Sequence, residues 1–168
     1  NPIGAIAVPG SRVLTFLPMA HVFSRAVSLA VAIGGATQNH WSDFSSLSVE
    51  FQRSRPNLIL GVPRVFEKVR NSAAQKAADG SAIKRGIFEQ AEQAAIEYSK
   101  ALDTEEGPTR IQKAKHKVFD RMVYSKIREG VGGSVRYCIT GGSAMGQDLL
   151  HWFRGIGVPV YEGYGLTE

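Results

Sequence analysis

Short apolar runs alternate along this chain with longer stretches whose apolar positions recur every three or four residues, the pattern of strands exchanged with helices. Val13 to Leu17, closed by Pro18, predicts a buried strand. From about His21 to Ile33 the positions Val22, Phe23, Ala26, Val27, Ala30 and Val31 predict a helix. Gly34-Gly35 ends it where a left-handed cap is easiest. Ala36 to Asn39 predicts a second strand. Ser42 then predicts an N-cap for a helix carrying Phe44, Leu47 and Phe51 on one face. That helix must finish before Pro56, because the residue ahead of a proline avoids helical geometry. Asn57 to Val62 predicts the third strand.

After Pro63 the alternation gives way to helix-forming sequence up to about residue 130. Ile83, Ile87, Ala91, Ala94, Ala95, Tyr98 and Leu102 form one apolar stripe, and Ile111, Val118, Met122 and Ile127 form another, with Thr104 to Pro108 between them. Two such stripes predict an antiparallel helical hairpin inserted beside a sheet. Alternation then resumes: Val135 to Thr140 predicts a strand, Gln147 to Ile156 a helix and Val158 to Tyr161 a last strand. Apolar strands joined through helices predict an α/β fold, a mostly parallel sheet covered by helices on both faces, with a helical insert over about 64–130.

At 168 residues and 43% apolar content the chain can bury one sizeable core. It has no apolar run of the ~18 residues that would cross a membrane, and no charged-then-apolar signal segment opens it. A cytosolic protein is expected. The lone Cys138, in the apolar run Tyr137-Cys138-Ile139, excludes a disulfide framework and fits a buried reduced thiol. The net charge of +5 invites a nucleic-acid reading, but residues 64 to 130 hold 14 of the 20 Lys and Arg together with 10 of the 15 Asp and Glu. Mixed signs at helical spacing mark solvated helix faces, whereas a nucleic-acid footprint is one-signed and interleaved with aromatics, so no nucleic-acid partner is expected. The local excess of positive charge would suit an anionic membrane surface, at the inner face of the membrane.

Ligands of such sheets bind beyond the carboxyl ends of the strands. There Thr140-Gly141-Gly142-Ser143-Ala144 and Glu162-Gly163-Tyr164-Gly165-Leu166-Thr167-Glu168 follow the last two predicted strands. Glycines 163 and 165 let a ligand approach the backbone closely, Tyr164 can stack on a base, Thr167 offers a hydroxyl to a phosphate, and Glu168 offers the hard oxygen that magnesium prefers. Taken alone, Gly141-Gly142 reads equally as a tight turn without a ligand. His21, at a strand-to-helix junction, suits either a helix cap or a hydrogen bond to a carboxylate or phosphate. The remaining histidines, 40, 116 and 151, lack partners at zinc-site spacing. Gly141-Gly142-Ser143-Ala144-Met145 fails as a nucleophile elbow, since Met145 stands where the second glycine belongs. No Walker phosphate loop is present either. A coding sequence would seldom stop on a residue such as Glu168, so a segment of a longer protein is expected.

Four blocks carry a specific likeness. In order, Leu17-Pro18-Met19-Ala20-His21-Val22-Phe23, Val62-Pro63-Arg64-Val65-Phe66-Glu67, Gly141-Gly142-Ser143-Ala144 and Tyr161-Glu162-Gly163-Tyr164-Gly165-Leu166-Thr167-Glu168 resemble those of bacterial long-chain fatty-acid–CoA ligases, of the AMP-forming adenylating superfamily. The resemblance implies a central part of the large N-terminal domain, with the phosphate loop upstream and the small C-terminal domain downstream of residues 1–168. It implies that Tyr164 flanks the adenine with Gly141, Gly142, Ser143 and Ala144 across from it. Thr167 would touch the AMP phosphate, Glu168 would bind magnesium and Gly163 would border the acyl tunnel. Glu162 and Gly165 would belong to the same nucleotide-binding stretch, and His21 would sit near the acyl carboxylate. The family usually reads Gly-Gly-Ala where this chain has Gly141-Gly142-Ser143, and commonly has Glu where Arg25 stands.

The implied reaction uses fatty acid, ATP and CoA: the carboxylate is activated as acyl-AMP, then passed to the CoA thiol. Two alternatives remain open at this point, a fatty acyl–AMP ligase serving a carrier protein and a non-catalytic lipid- or nucleotide-binding module. The segment by itself is expected to be inactive.

Overall fold

The computed structural model describes residues 8–163. Five parallel strands form one sheet: β1 (Arg12–Thr15), β2 (Thr37–His40), β3 (Leu58–Gly61), β4 (Tyr137–Thr140) and β5 (Val160–Glu162), in the order β2-β1-β3-β4-β5. Register is continuous across the centre, where Val13 opposes Leu58, Ile59 opposes Cys138 and Cys138 opposes Val160. Each predicted strand is present, displaced by two residues at most.

Side chains alternate across a strand, and the chain meets that requirement on both sheet faces. Val13, Leu58, Leu60 and Ile139 enter one core, while Leu14, Ile59 and Cys138 enter the other. Burial on both faces explains why β3 reads Leu58-Ile59-Leu60 without a polar residue. The polar edge strand β2, Thr37-Gln38-Asn39-His40, is only half covered. Cys138 is buried among apolar groups, and that burial raises its thiol pKa.

Helix α1 (Val22–Gly34) covers the first face through Val27 and Val31, and Gly35 closes it at φ 69°. Its predicted stripe is narrower than expected, because Val22 is half exposed, as are Leu29 and Ile33 beyond it. On the other face α2 (Leu47–Ser54) follows a 3-10 turn at Phe44–Ser46. The N-cap there is Asp43 and not Ser42: its carboxylate accepts from the Ser45 amide at 2.8 Å and from the Ser45 and Ser46 hydroxyls at 2.6 Å each. Those bonds favour the ionised form and lower its pKa to about 2.

The insert over about 64–130 is mostly helical, with turns over 102–109, but it is not a two-helix hairpin. It contains α3 (Pro63–Gly80), α4 (Ala82–Ala101), α5 (Arg110–Phe119), a π turn (Asp120–Tyr124) and α6 (Ser125–Gly130). Ser81 separates α3 from α4 by accepting from the Lys84 amide at 3.2 Å, an N-cap the apolar stripes do not reveal. Thr109 and Gln112 form a capping box at the start of α5. Of the second stripe only Ile127 packs against the core: Ile111, Val118 and Met122 are exposed, whereas Phe119 and Tyr124 are buried. A π turn adds a residue to the helical repeat, so one straight 3.6-residue stripe cannot run through it.

Helix α7 (Gln147–Gly155) joins β4 to β5 and packs against α4. Trp152 and Phe153 are buried, as a packing role for Trp152 requires. At Gly155 an added Cβ would stand 2.2 Å from the Ala95 carbonyl oxygen, closer than any side chain permits. The C-terminal carbonyls of α7 meet polar groups from the insert: His116 Nε2 lies 2.6 Å from the Gly155 oxygen, and Arg128 Nη1 donates to the Ile156 oxygen at 2.8 Å. Arg128 also pairs with Asp120 at 2.6 Å, which lowers that carboxyl's pKa. Tyr98 stacks on the His116 ring at 4.0 Å, and Tyr124 donates to the Ala91 oxygen at 2.7 Å.

Gly155→Ala should therefore lower the stability of the full-length protein by ~3 kcal/mol or more, at the upper end of overpacking costs. Gly86→Ala, in α4 with open space around its Cα, should raise stability by ~0.5–1 kcal/mol through helix propensity. Thermal unfolding of both variants checks the pair; equal midpoints would refute the close approach.

Candidate active site

The first three sequence blocks follow the carboxyl ends of β1, β3 and β4 on loops, and the fourth begins in β5, its described residues being Tyr161, Glu162 and Gly163. Parallel strands share one direction, so these loops emerge on one edge of the sheet. Two backbone bonds draw them together: the Gly163 amide donates to the Thr140 oxygen at 2.7 Å, and the Gly141 amide to the Gly61 oxygen at 3.4 Å. A third bond ties the glycine-rich loops directly. The Glu162 carboxylate accepts from the Met145 amide at 2.7 Å, linking the carboxyl end of β5 to the end of the loop after β4.

Phe23, on the first turn of α1, is the wedge between these loops. A Cβ added at Gly141 would come within 3.1 Å of its ring, and one at Gly163 within 3.5 Å. Gly141 thus serves close approach, whereas a Cβ at Gly163 would make ordinary contact with the ring. Gly142 does something different: its φ of 89° is a left-handed geometry that side-chain-bearing residues avoid. The turn that follows leaves Gly142, Ser143 and Ala144 exposed while Gly141 is buried. These exposed residues form a shallow cradle at the carboxyl end of β4.

His21 is exposed at the N-terminus of α1 and caps it, its Nδ1 accepting from the Phe23 amide at 3.3 Å. In the neutral ring that bond leaves the proton on Nε2, a donor suited to an anionic oxygen. The structural role of His21 therefore fixes the tautomer a ligand would meet. Ser24, one turn into the helix, donates to the Leu17 oxygen at 3.2 Å and anchors the loop before His21.

Of the expected site residues, Gly141 and Gly163 meet at the Phe23 ring, Glu162 is tied to Met145 at the end of the Gly142-Ser143-Ala144 turn, and His21 stands two residues before Phe23 at the start of α1. Tyr164, Gly165, Thr167 and Glu168 lie outside the described residues. The described residues contain no cluster of three His, Cys, Asp or Glu able to hold a metal. Two contributions escaped sequence reasoning. Phe23 stood inside a quoted block without a role, because nothing local says which glycines a ring will touch. Thr140 is buried, and its Oγ1 has no hydrogen-bond partner among the described residues. A buried hydroxyl without a partner is costly, and this one stands at the last position of β4, where the cradle begins.

The comparisons with known proteins agree with this geometry. The profile of the AMP-binding enzyme family matches residues 3–168. The chain belongs to that family of AMP-binding enzymes. It is 44% identical over 158 residues to the long-chain-fatty-acid–CoA ligase FadD15 of Mycobacterium tuberculosis, covering 94% of this chain and 26% of that one. Long chain acyl-CoA synthetase 4 of Arabidopsis thaliana is 30% identical over 157 residues, covering 92% and 22%. The chain thus spans about a quarter of the length of these curated relatives. Among solved structures, the A domain of carboxylic acid reductase from Segniliparus rugosus, in complex with AMP and a co-purified carboxylic acid, superposes with a TM-score of 0.54 at 21% identity, covering 93% of this chain and 20% of that one. The N-terminal domain of FACL13 from Mycobacterium tuberculosis gives 0.53 at 18% identity, covering 96% and 28%. These two likenesses establish the fold, that of the N-terminal part of adenylate-forming enzymes.

Glu162→Ala removes the strap between the glycine-rich loops, a hydrogen bond to a charged acceptor worth ~1.5–3 kcal/mol. Amide exchange at Met145 in the full-length protein should accelerate about tenfold or more, while exchange within α4 stays unchanged. Unaltered exchange at Met145 would remove Glu162 from this role.

Proposed function

We propose that the full-length protein is an ATP-dependent long-chain fatty-acid–CoA ligase. The observation that carries this reading is the meeting of Gly141 and Gly163 at the Phe23 ring, with Gly141 also bonded to Gly61, at one edge of the sheet, where a nucleotide and an acyl group would lie side by side. Membership of the AMP-binding family and likeness to long-chain ligases along nearly the whole chain support it.

In this reading the adenine rests on the cradle of Gly141, Gly142, Ser143 and Ala144, with Tyr164 on its other side and Glu162 and Gly165 shaping the loop. The acyl chain passes Gly163. His21, with its proton on Nε2, donates to the carboxylate or to the α-phosphate and so orients one toward the other. A carboxylate oxygen attacks the α-phosphorus and pyrophosphate departs, giving acyl-AMP. The CoA thiol, deprotonated as it attacks, then adds to the acyl carbon and expels AMP. Thr167 holds the AMP phosphate through both steps. Glu168 would hold magnesium, whose charge offsets that of the phosphates.

Glu168→Gln keeps the shape of the side chain and removes its charge. Adenylate formation by the full-length enzyme should fall about 10²-fold or more, as when other transition-state electrostatic groups are lost. Thioester formation from supplied acyl-adenylate should fall much less. Equal losses in the two half-reactions would argue against the metal role.

A peripheral position on an anionic membrane is part of the same proposal. Ile111 and Val118 on α5 and Met122 in the π turn are exposed, and α5 also bears the exposed Lys113, Lys115 and Lys117, a combination that suits the lipid interface. Among the described residues no helix is long and apolar enough to cross a membrane. Replacing the three lysines by Gln should weaken sedimentation with anionic vesicles by ~1 kcal/mol per charge, leaving activity on a soluble medium-chain acid near wild type. Unchanged vesicle binding would make the insert a purely structural element.

A further inference from the structure

One cavity among the described residues shares no residue with the motif blocks. It is a groove of about 460 Å³ between α2, α3, the start of α4 and the π turn with α6. Its volume falls within the ~300–1,000 Å³ of small-molecule sites. Phe51, Val69, Ile87, Phe88, Val123 and Ile127 give it an apolar floor. Four lysines border it, Lys68, Lys76, Lys84 and Lys126, and no Asp or Glu lines it.

That charge is out of keeping with its surroundings. Elsewhere on these helices basic and acidic side chains pair, as in Arg70 with Glu92, Arg85 with Glu89 and Arg128 with Asp120. Lys76, Lys84 and Lys126 enter no ion pair among the described residues. Like charges gathered around one trough repel one another. An anion at the rim would relieve that repulsion, and an apolar tail would cover the floor. A nucleotide fits poorly, since apart from the lysines only Ser48 and Ser72 offer side-chain hydrogen bonds to the polar edges of a base.

We propose that this groove is a second, non-catalytic binding site for a long-chain fatty acid anion, its carboxylate among Lys76, Lys84 and Lys126 and its chain along the floor. The flexible lysine stems hold the head group as point charges without demanding one fixed geometry. The long-chain carboxylate follows from the groove's own chemistry and not from the assignment of the catalytic residues. Its binding needs no turnover.

The test is equilibrium binding of palmitate to the full-length protein, without vesicles, after a non-hydrolysable palmitoyl-adenylate analogue has filled the nucleotide site. One palmitate should still bind. Combining Lys76→Glu, Lys84→Glu and Lys126→Glu, all at exposed positions, should weaken that binding about tenfold or more, since hydrogen bonds to charged groups are the stronger kind. Ala73→Trp, which fills the floor without touching the charges, should weaken it too, and uncharged hexadecanol should compete poorly. No palmitate bound beyond the blocked site would overturn the proposal, whether a further segment of the chain fills the groove or nothing does. So would palmitate binding that is unchanged in the lysine variant, including the case in which only vesicle sedimentation is lost and the lysines serve a membrane surface. If the adenylate analogue itself fails to bind, the catalytic reading fails, yet the lysine-sensitive palmitate site is still measured on its own.

Discussion

The backbone of α7 at Gly155 runs so near the backbone of α4 at Ala95 that only a hydrogen fits between them. Most of the architecture depends on that approach. α7 connects β4 to β5, and the loops after those two strands form the glycine-rich side of the candidate site. α4 belongs to the insert. The insert therefore supports the active-site edge from behind and is no appendage hung on a finished domain. His116 and Arg128 strengthen the connection by meeting the carbonyls at the end of α7, where the helix has no donors of its own.

The two faces of the sheet divide the labour. α1 covers one face and brings Phe23 and His21 to the carboxyl edge, where the loop glycines give way to the aromatic ring. The insert covers the other face and leaves a trough bordered by lysines between its helices. Chemistry and amphiphile binding would then occupy opposite sides of one sheet. Surface charge serves a different purpose in each place. Lys100 with Asp148 and Arg154 with Asp103 link the insert to α7 at exposed positions, where each pair contributes little.

The strand–helix alternation of this chain was legible from its apolar pattern, because a parallel sheet buried on both faces demands consecutive apolar residues and leaves little doubt about register. The two glycine-rich blocks were legible too, since close backbone approach and left-handed turns need glycine at particular positions, as at Gly142. The insert was legible only as helix. Its break at Ser81 depends on one side-chain bond to the Lys84 amide, and its second stripe was misread because a π turn leaves no mark in a 3.6-residue repeat. Likewise Asp43, not Ser42, caps the helix that follows β2, a choice between neighbouring cap residues settled by the hydroxyls within its reach.

By itself the sequence determined the local preferences: which segments are strand or helix, where glycine is obligatory, and which residue types could meet a nucleotide, a metal or an acyl group. Only the tertiary structure decided which of these groups meet. It set Phe23 against Gly141 and Gly163, joined Glu162 to the Met145 amide, left the Thr140 hydroxyl without a partner among the described residues and gathered four lysines from α3, α4 and α6 around one groove. The reason is physical. Periodicity reports one side chain's preference for water or core, whereas a site is made by contacts between residues far apart in the chain, and those are fixed only when the sheet, its two covering layers and the close α4–α7 packing settle together.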